Sequence, residues 1–330
     1  MSFTDTIAQS FANIAPTVTP ALAIPFVVAS AGFGSWLTYL IITVGLILVG
    51  LNITVFAQKY ASSGALYTFV SKGLGATSGF MTGWGLIVAY LFTAMATLIG
   101  LGIFGKLFME HLGLSVPSVV FYAVGGLLIW LFAYRDIRLS AVLALVLEIV
   151  SVALIAVVGV IVLVKEGFRF DVEQFSLEGV TFGGIQTAMV LGVFAFVGFE
   201  SAATLGGESR NPYRTIPRAV IISTTVVGLF FALMAYVEVL GIPSLEALAG
   251  STAPIDDLAT AYGIKWFIPI IEFGASISFF SCSLASVNAA SRVMSGHVRD
   301  GARRHIPQLH QFRAQPQPDA ACRRDDFFAA

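Results

Sequence analysis

Two carboxylates stand in stretches that are otherwise almost purely apolar: Glu148 in VLALVLEIVSVAL and Glu200 in AFVGFESAATLGG. A carboxylate at membrane depth costs about 2.5–3.5 kcal/mol on insertion scales, so such a group is either functional or paired. Gly198 precedes Glu200, and Gly206-Gly207 follow it. Each glycine weakens a helix by about 1 kcal/mol relative to alanine. Together they predict a discontinuous helix, unwound near Val197–Glu200, that exposes backbone carbonyls and a half-helix N-terminus to a substrate or ion. The plainer alternative is that Gly198 permits close helix packing and Glu200 pairs structurally. Glu148 could take up and release a proton, or accept a structural hydrogen bond from a neighbouring helix.

A matching oddity lies near the start of the chain. NIAPTVTPALAIPF places Pro16, Pro20 and Pro25 in one apolar run. Each proline removes a backbone donor and frees the carbonyl one turn earlier, and Thr17 and Thr19 offer local hydrogen-bonding partners. The run is either a second interrupted helix or a kinked packing helix. Tyr90, in GWGLIVAYLF, lines a cavity or packs. Glu272 is read as interfacial, at the outer end of its apolar run.

Those residues must be positioned by elements that suit a bilayer. The chain has 330 residues, 57% hydrophobic and 11% charged, against about 25% charged in soluble domains. Apolar runs of about 20 residues recur, each long enough to cross ~30 Å of hydrocarbon as a helix. Eight spans are predicted, at 11–32, 36–57, 79–105, 116–134, 139–164, 182–207, 217–240 and 266–290. The fold class is therefore all-α integral membrane. Lys59, Lys72, Arg135, Arg138, Arg210, Arg214 and Arg218 fall in one set of connections, and Lys106, Lys165, Arg169 and Lys265 in the other. That bias predicts a cytoplasmic N-terminus. No basic n-region precedes the first run, which argues against a cleaved signal peptide. Cys282 and Cys322 give neither a disulfide framework nor metal-ligand spacing.

The stretch GFESAATLGGESRNPYRTIPRAV (198–220) closely resembles the sixth-helix signature of the amino acid–polyamine–organocation superfamily. KYASSGALYTFVSKGLGATSGFMTGW (59–84) resembles the loop between its second and third helices, and NAASRVM (288–294) the end of its eighth. The resemblance covers about residues 10–294. It implies a leucine-transporter-type fold with a five-plus-five inverted repeat, in which spans one and six begin the two halves. It also implies proton- or sodium-coupled movement of amino acids or related amines. Family substrates set their carboxylate on amides of the first-helix break and their amino group on carbonyls of the sixth. With Pro25 as the proline ending the first-helix motif, the usual G-S-G falls on Val18-Thr19-Pro20, a departure that points to an unusual substrate. The substrate site then comprises Thr17, Val18, Thr19, Phe196, Val197, Gly198, Phe199, Glu200 and Tyr90. Glu200 is a helix-break organiser or proton site. Glu148 lies near the place of a fifth-helix lysine that substitutes for sodium in some proton-coupled relatives. Arg210, Asn211, Arg214 and Arg218 are read as topology and gate elements.

By the same resemblance the fold is incomplete, with eight of the usual twelve transmembrane helices. The expected organisation is a cytoplasmic N-terminus at 1–10 and a permease domain at 11–294, with repeats at 11–164 and 182–290. A tail at 295–330 follows, either disordered or read out of frame after a frameshift near Met294. The functional expectation is a secondary transporter of an amino acid or amine, proton-coupled, in a plasma or inner membrane. The competing expectation is a non-transporting binding or sensor protein built from such a permease. No paired catalytic groups, metal cluster, nucleotide loop or nucleic-acid signature is present, so neither an enzyme nor a cofactor is expected.

Overall fold

Backbone amides and carbonyls in hydrocarbon must be satisfied within their own segment, and the chain answers with helices throughout. The computed structural model describes residues 1–135 and 137–305, with side chains outside 135–141 and 297–305. No strand occurs among the described residues. The elements are α1 (Phe3–Ile14), α2 (Ile24–Ala31), α3 (Ser35–Ala57), α4 (Leu66–Leu74), α5 (Ala76–His111), α6 (Ser118–Arg135) and α7 (Ile137–Lys165). There follow α8 (Val172–Ser176), α9 (Phe182–Gly192), α10 (Pro212–Gly241), α11 (Leu245–Ala249), α12 (Pro254–Ala261) and α13 (Ile268–His305).

Among the described residues six stretches are long and apolar enough to cross a membrane, and the first of them, Phe3–Ala57, takes in both of the first two predicted spans. The fourth predicted span is the shorter apolar helix Ser118–Tyr134. Several boundaries differ from the hydropathy reading, most of all at the two ends of the described chain. Helix α1 begins at Phe3 rather than 11, because Ser2 and Asp5 form a capping box that satisfies its first amides. Helix α13 continues past Met294 to His305, through residues read as the start of a non-spanning tail. The remainder of that tail lies outside the described residues.

Small polar side chains are set into the packed interior. Along α3, Thr38, Thr43 and Thr54 are buried, while Val44, Leu48, Leu51 and Val55 are exposed to the surroundings. Along α13, Ser278, Ser281, Ser283 and Ser286 are buried. Lipid is as apolar as leucine, so helix association draws on close packing and interhelical hydrogen bonds. Helix α10 packs along α3, and α13 packs along α5 and α7. Helix α1 is enclosed by α7, α10 and α13. A large apolar cluster including Ile24, Val28, Tyr39, Phe196, Phe231 and Met234 ties α2, α3 and α10 to the stretch that follows α9.

Candidate functional site: two helix breaks and a bridging carboxylate

Helix α1 ends where Ala15 turns left-handed, at φ 51°. Pro16 follows without a donor, and the chain then winds into a π-helical turn over Thr19–Ala23. The first-span interruption therefore sits at Ala15–Thr17, three residues before the Val18-Thr19-Pro20 position inferred from Pro25. Pro16 carries no N–H and Ala15 adopts the left-handed turn; Pro20 lies in the wider π turn downstream instead. Thr19 is buried in the π turn. Val18 packs against Phe104, Ala275 and Phe279.

The break leaves the Thr17 amide pointing away from its own helix, and Glu148 receives it. Thr17 N–H donates to Glu148 Oε1 at 3.2 Å. The Ser278 hydroxyl lies 2.9 and 2.7 Å from the two oxygens of the same carboxylate. Glu148 is fully buried. It thus joins the first break, α7 and α13 through one charge-bearing group.

The second interruption lies in the sixth predicted span. Helix α9 stops at Gly192, a 3-10 turn covers Val193–Phe196, and Val197 is extended with ψ 130°. Gly198 takes φ +92°, a region L residues rarely adopt. A Cβ at Gly198 would also meet the Asn13 side chain. A second 3-10 turn covers Ser201–Leu205, and regular helix resumes only at Pro212. The Phe196 carbonyl accepts from Phe199 N–H at 3.0 Å, and the Gly198 carbonyl from Ser201 N–H at 2.9 Å. Each keeps a second lone pair for another donor. Phe196 is buried with its ring 5.1 Å from that of Phe231. Phe199 bridges the two largest apolar clusters.

Glu200 is buried and accepts from the Tyr90 hydroxyl at 2.7 Å, so two residues singled out 110 positions apart meet directly. The breaks themselves are stitched together from α1. Ser10 Oγ donates to the Phe199 carbonyl at 2.9 Å and accepts from Ala202 N–H at 3.0 Å. Ser201 Oγ donates to the Gln9 carbonyl at 3.2 Å. Asn13 accepts from Ser286 at 2.6 Å through its side chain and from Cys282 at 3.2 Å through its backbone.

Sequence reasoning missed Ser10, Asn13, Ser278 and Ser286. For Ser278 and Ser286 a partial signal existed: ISFFSCSLASVN repeats small polar residues inside an apolar run, which marks a polar helix face but not what it meets. Glu272, read as interfacial at the outer end of its run, lies near an end of its span. It is 1% exposed, and its Oε2 lies 2.8 Å from His111 Nδ1.

At one end of the bundle the molecule is closed by polar contacts. Arg292 Nε donates to Glu208 Oε1 at 3.2 Å, with the Arg292 side chain 4% exposed. Gly206 lies flush against the Ser62 backbone, where a Cβ would come within 2.6 Å of it. Among the described residues there is no group of His, Cys, Asp and Glu side chains able to hold a metal ion.

Among the described residues the chain is an all-helical, multi-pass membrane bundle whose two interrupted helices are held against each other. The amino acid permease family profile matches residues 6–307, and the chain belongs to that family, which comprises transporters rather than enzymes. The match runs past Met294. The chain is 30% identical over 254 residues to an uncharacterised transporter of Mycobacterium tuberculosis, covering 76% of this chain and 54% of that protein. It is 25% identical over 292 residues to a branched-chain amino acid permease of Bacillus subtilis, covering 82% and 61%. It is 24% identical over 269 residues to a low-affinity putrescine importer of Escherichia coli, covering 80% and 59%. The chain thus spans a little over half the length of the curated relatives it matches.

Proposed function

We propose that this chain carries the central machinery of a secondary transporter that moves an amino acid or related amine by alternating access around the two helix breaks, coupled to protons through Glu148. The observation that carries this reading is the bridge from the Thr17 amide through Glu148 to Ser278. A carboxylate that holds the first break against α7 and α13 ties its own charge to the position of that break. When a proton neutralises Glu148, it weakens the charge-assisted bond to Thr17, and the broken helix gains freedom to move. Thr17, Val18 and Thr19 on one side and Phe196, Val197, Gly198, Phe199 and Glu200 on the other form the substrate site, with Tyr90 setting the Glu200 carboxylate. Relatives named for branched-chain amino acids and for putrescine support this substrate class. The basic-residue bias supports a cytoplasmic N-terminus in a plasma or inner membrane.

The test is uptake into proteoliposomes containing the purified chain, with labelled leucine and putrescine in parallel, with and without an inward proton gradient. Gradient-driven accumulation that Glu148→Gln abolishes supports the reading. Saturable binding with no flux would replace transport by the sensor or binding role. Neither binding nor flux for any amino acid or amine would overturn both.

A further inference from the structure

The end of the bundle opposite the Arg292–Glu208 pair carries a second cluster of ionisable groups that the proposed transport site does not use. Helix α12 packs against the π turn that follows the first break, and also against α7, α10 and α13. It therefore covers that break from this end. Its Asp256 is partly buried, and Oδ1 is enclosed with no hydrogen-bond partner. Glu272, near the start of α13, and His111, the last residue of α5, form a 2.8 Å contact, and His111 Nδ1 also lies 3.1 Å from the Leu107 carbonyl; both Glu272 and His111 act on Asp256 through their charge. Asp257 lies on the same helix and accepts from the Ser251 hydroxyl at 2.5 Å. Glu110 on α5 is engaged by Lys106 at 3.5 Å. On the α10 side the acidic group is the buried Glu238, and the short turn before α13 carries Lys265. The α7 side supplies Lys165, which donates to the Tyr262 carbonyl at 2.5 Å, and Glu166, which accepts from the Tyr262 hydroxyl at 2.8 Å. The C-terminal end of α12 is thus pinned, while the helix also packs on α13 and its N-terminal end carries the enclosed, unpartnered Asp256 oxygen.

We propose that Asp256, Glu272 and His111 form a proton-operated clasp that seats α12 over the first helix break in acid and loosens it as the pH rises. Seated, Asp256 is desolvated beside Glu272, and two carboxylates crowded together cannot both remain ionised at no cost. A proton on Asp256 removes that repulsion and turns the unpartnered oxygen into part of a neutral group. Burial first, and then the Glu272 carboxylate and Asp257, push the Asp256 carboxyl up to about 7 from an ordinary 3.8, against an opposing pull from His111. The seated state binds the extra proton. The seating equilibrium is therefore strongest below about 4, falls by up to about tenfold per pH unit as Asp256 ionises in the loosened state, and levels off above about 7. With the N-terminus cytoplasmic, as proposed above, this end faces outward, and the clasp reads external acidity.

The test is amide hydrogen exchange of residues 251–262 in the purified full chain in lipid nanodiscs, between pH 5 and 8, corrected for intrinsic exchange rate. This readout needs no transport, so it stands or falls apart from the uptake assay. Protection should fall with rising pH in the wild type and become flat in Asp256→Asn. Glu272→Gln, which keeps the packing volume, should shift the wild-type profile toward lower pH, and His111→Asn should shift it higher. A wild-type profile that does not vary with pH, or one that Glu272→Gln leaves in place, overturns the clasp.

Discussion

The Thr17 amide and the Glu148 carboxylate meet at 3.2 Å across 131 residues of sequence. Neither group has reason to be there alone. The amide is free because Ala15 and Pro16 end α1, and the carboxylate is tolerable in the bundle because Thr17 and Ser278 both serve it. Glu148→Gln preserves shape while deleting charge. Hydrogen bonds to charged groups contribute about 1.5–3 kcal/mol, so gradient-driven uptake should fall at least about tenfold in this variant. Exchange of substrate down its own gradient should persist. Counterflow measured beside gradient-driven uptake separates the two. Equal loss of both would make Glu148 a structural strut.

Tyr90 and Glu200 present a simpler pairing. Tyr90→Phe removes the hydroxyl, leaving a buried carboxylate short of its donor, at a cost of about 1–3 kcal/mol. The melting temperature of the purified chain should drop, and, on the proposed substrate site, substrate affinity should weaken more than maximal uptake rate. An unchanged KM with a reduced rate would place Tyr90 outside the substrate site.

Gly198 was legible from sequence as a weak point, and its geometry follows from the same cause. The Gly198–Glu200 stretch and Glu148 both stood out because glycine and charge are expensive where helix and hydrocarbon are required. The first break was located three residues late, because three prolines in one run disguise which of them ends the helix. Pro16 does so through a left-handed Ala15, whereas Pro20 lies inside a π turn that composition does not reveal. Ser10, Asn13 and Ser278 escaped because serine and asparagine in apolar helices are common. Only the fold shows that they face the breaks, and no local pattern predicts contact across more than a hundred residues. The same limit hid the contact between Glu272 and His111 from another helix.

The Gly198 conformation makes a separate prediction. Gly198→Ala meets two obstacles at once, a φ of +92° and the Asn13 side chain. A non-glycine residue in such a region costs about 1–3 kcal/mol. The variant should lose stability by at least that amount in a denaturation series. Gly198→Ala combined with Asn13→Ala should recover most of the steric part, the Asn13 Cβ itself still lying 2.9 Å from the added methyl, but not the backbone part. Complete recovery would show that the backbone conformation adapts without strain.

Arg292 and Glu208 close the end of the bundle that the proposed topology places in the cytoplasm. Glu208→Gln leaves the guanidinium nearly buried without its counter-charge. Breaking one partner of a buried pair costs about 3–5 kcal/mol; Glu208 is one-third exposed, so solvent screening brings the expected loss to the lower end of that range. The consequence should be local before it is global, because the Arg292 end of α13 packs where Gly206 abuts the Ser62 backbone. Ser62→Cys, placed in a background with Cys322 replaced, should react with a soluble maleimide several-fold faster when combined with Glu208→Gln. Arg292→Met removes both the charge and its need for a partner, so it should destabilise less than Glu208→Gln while raising the Ser62→Cys reaction rate to a similar degree. If Arg292→Met leaves that rate at the wild-type level, the ion pair is not what holds this end shut, and the close packing of Gly206 on the 62–65 loop suffices.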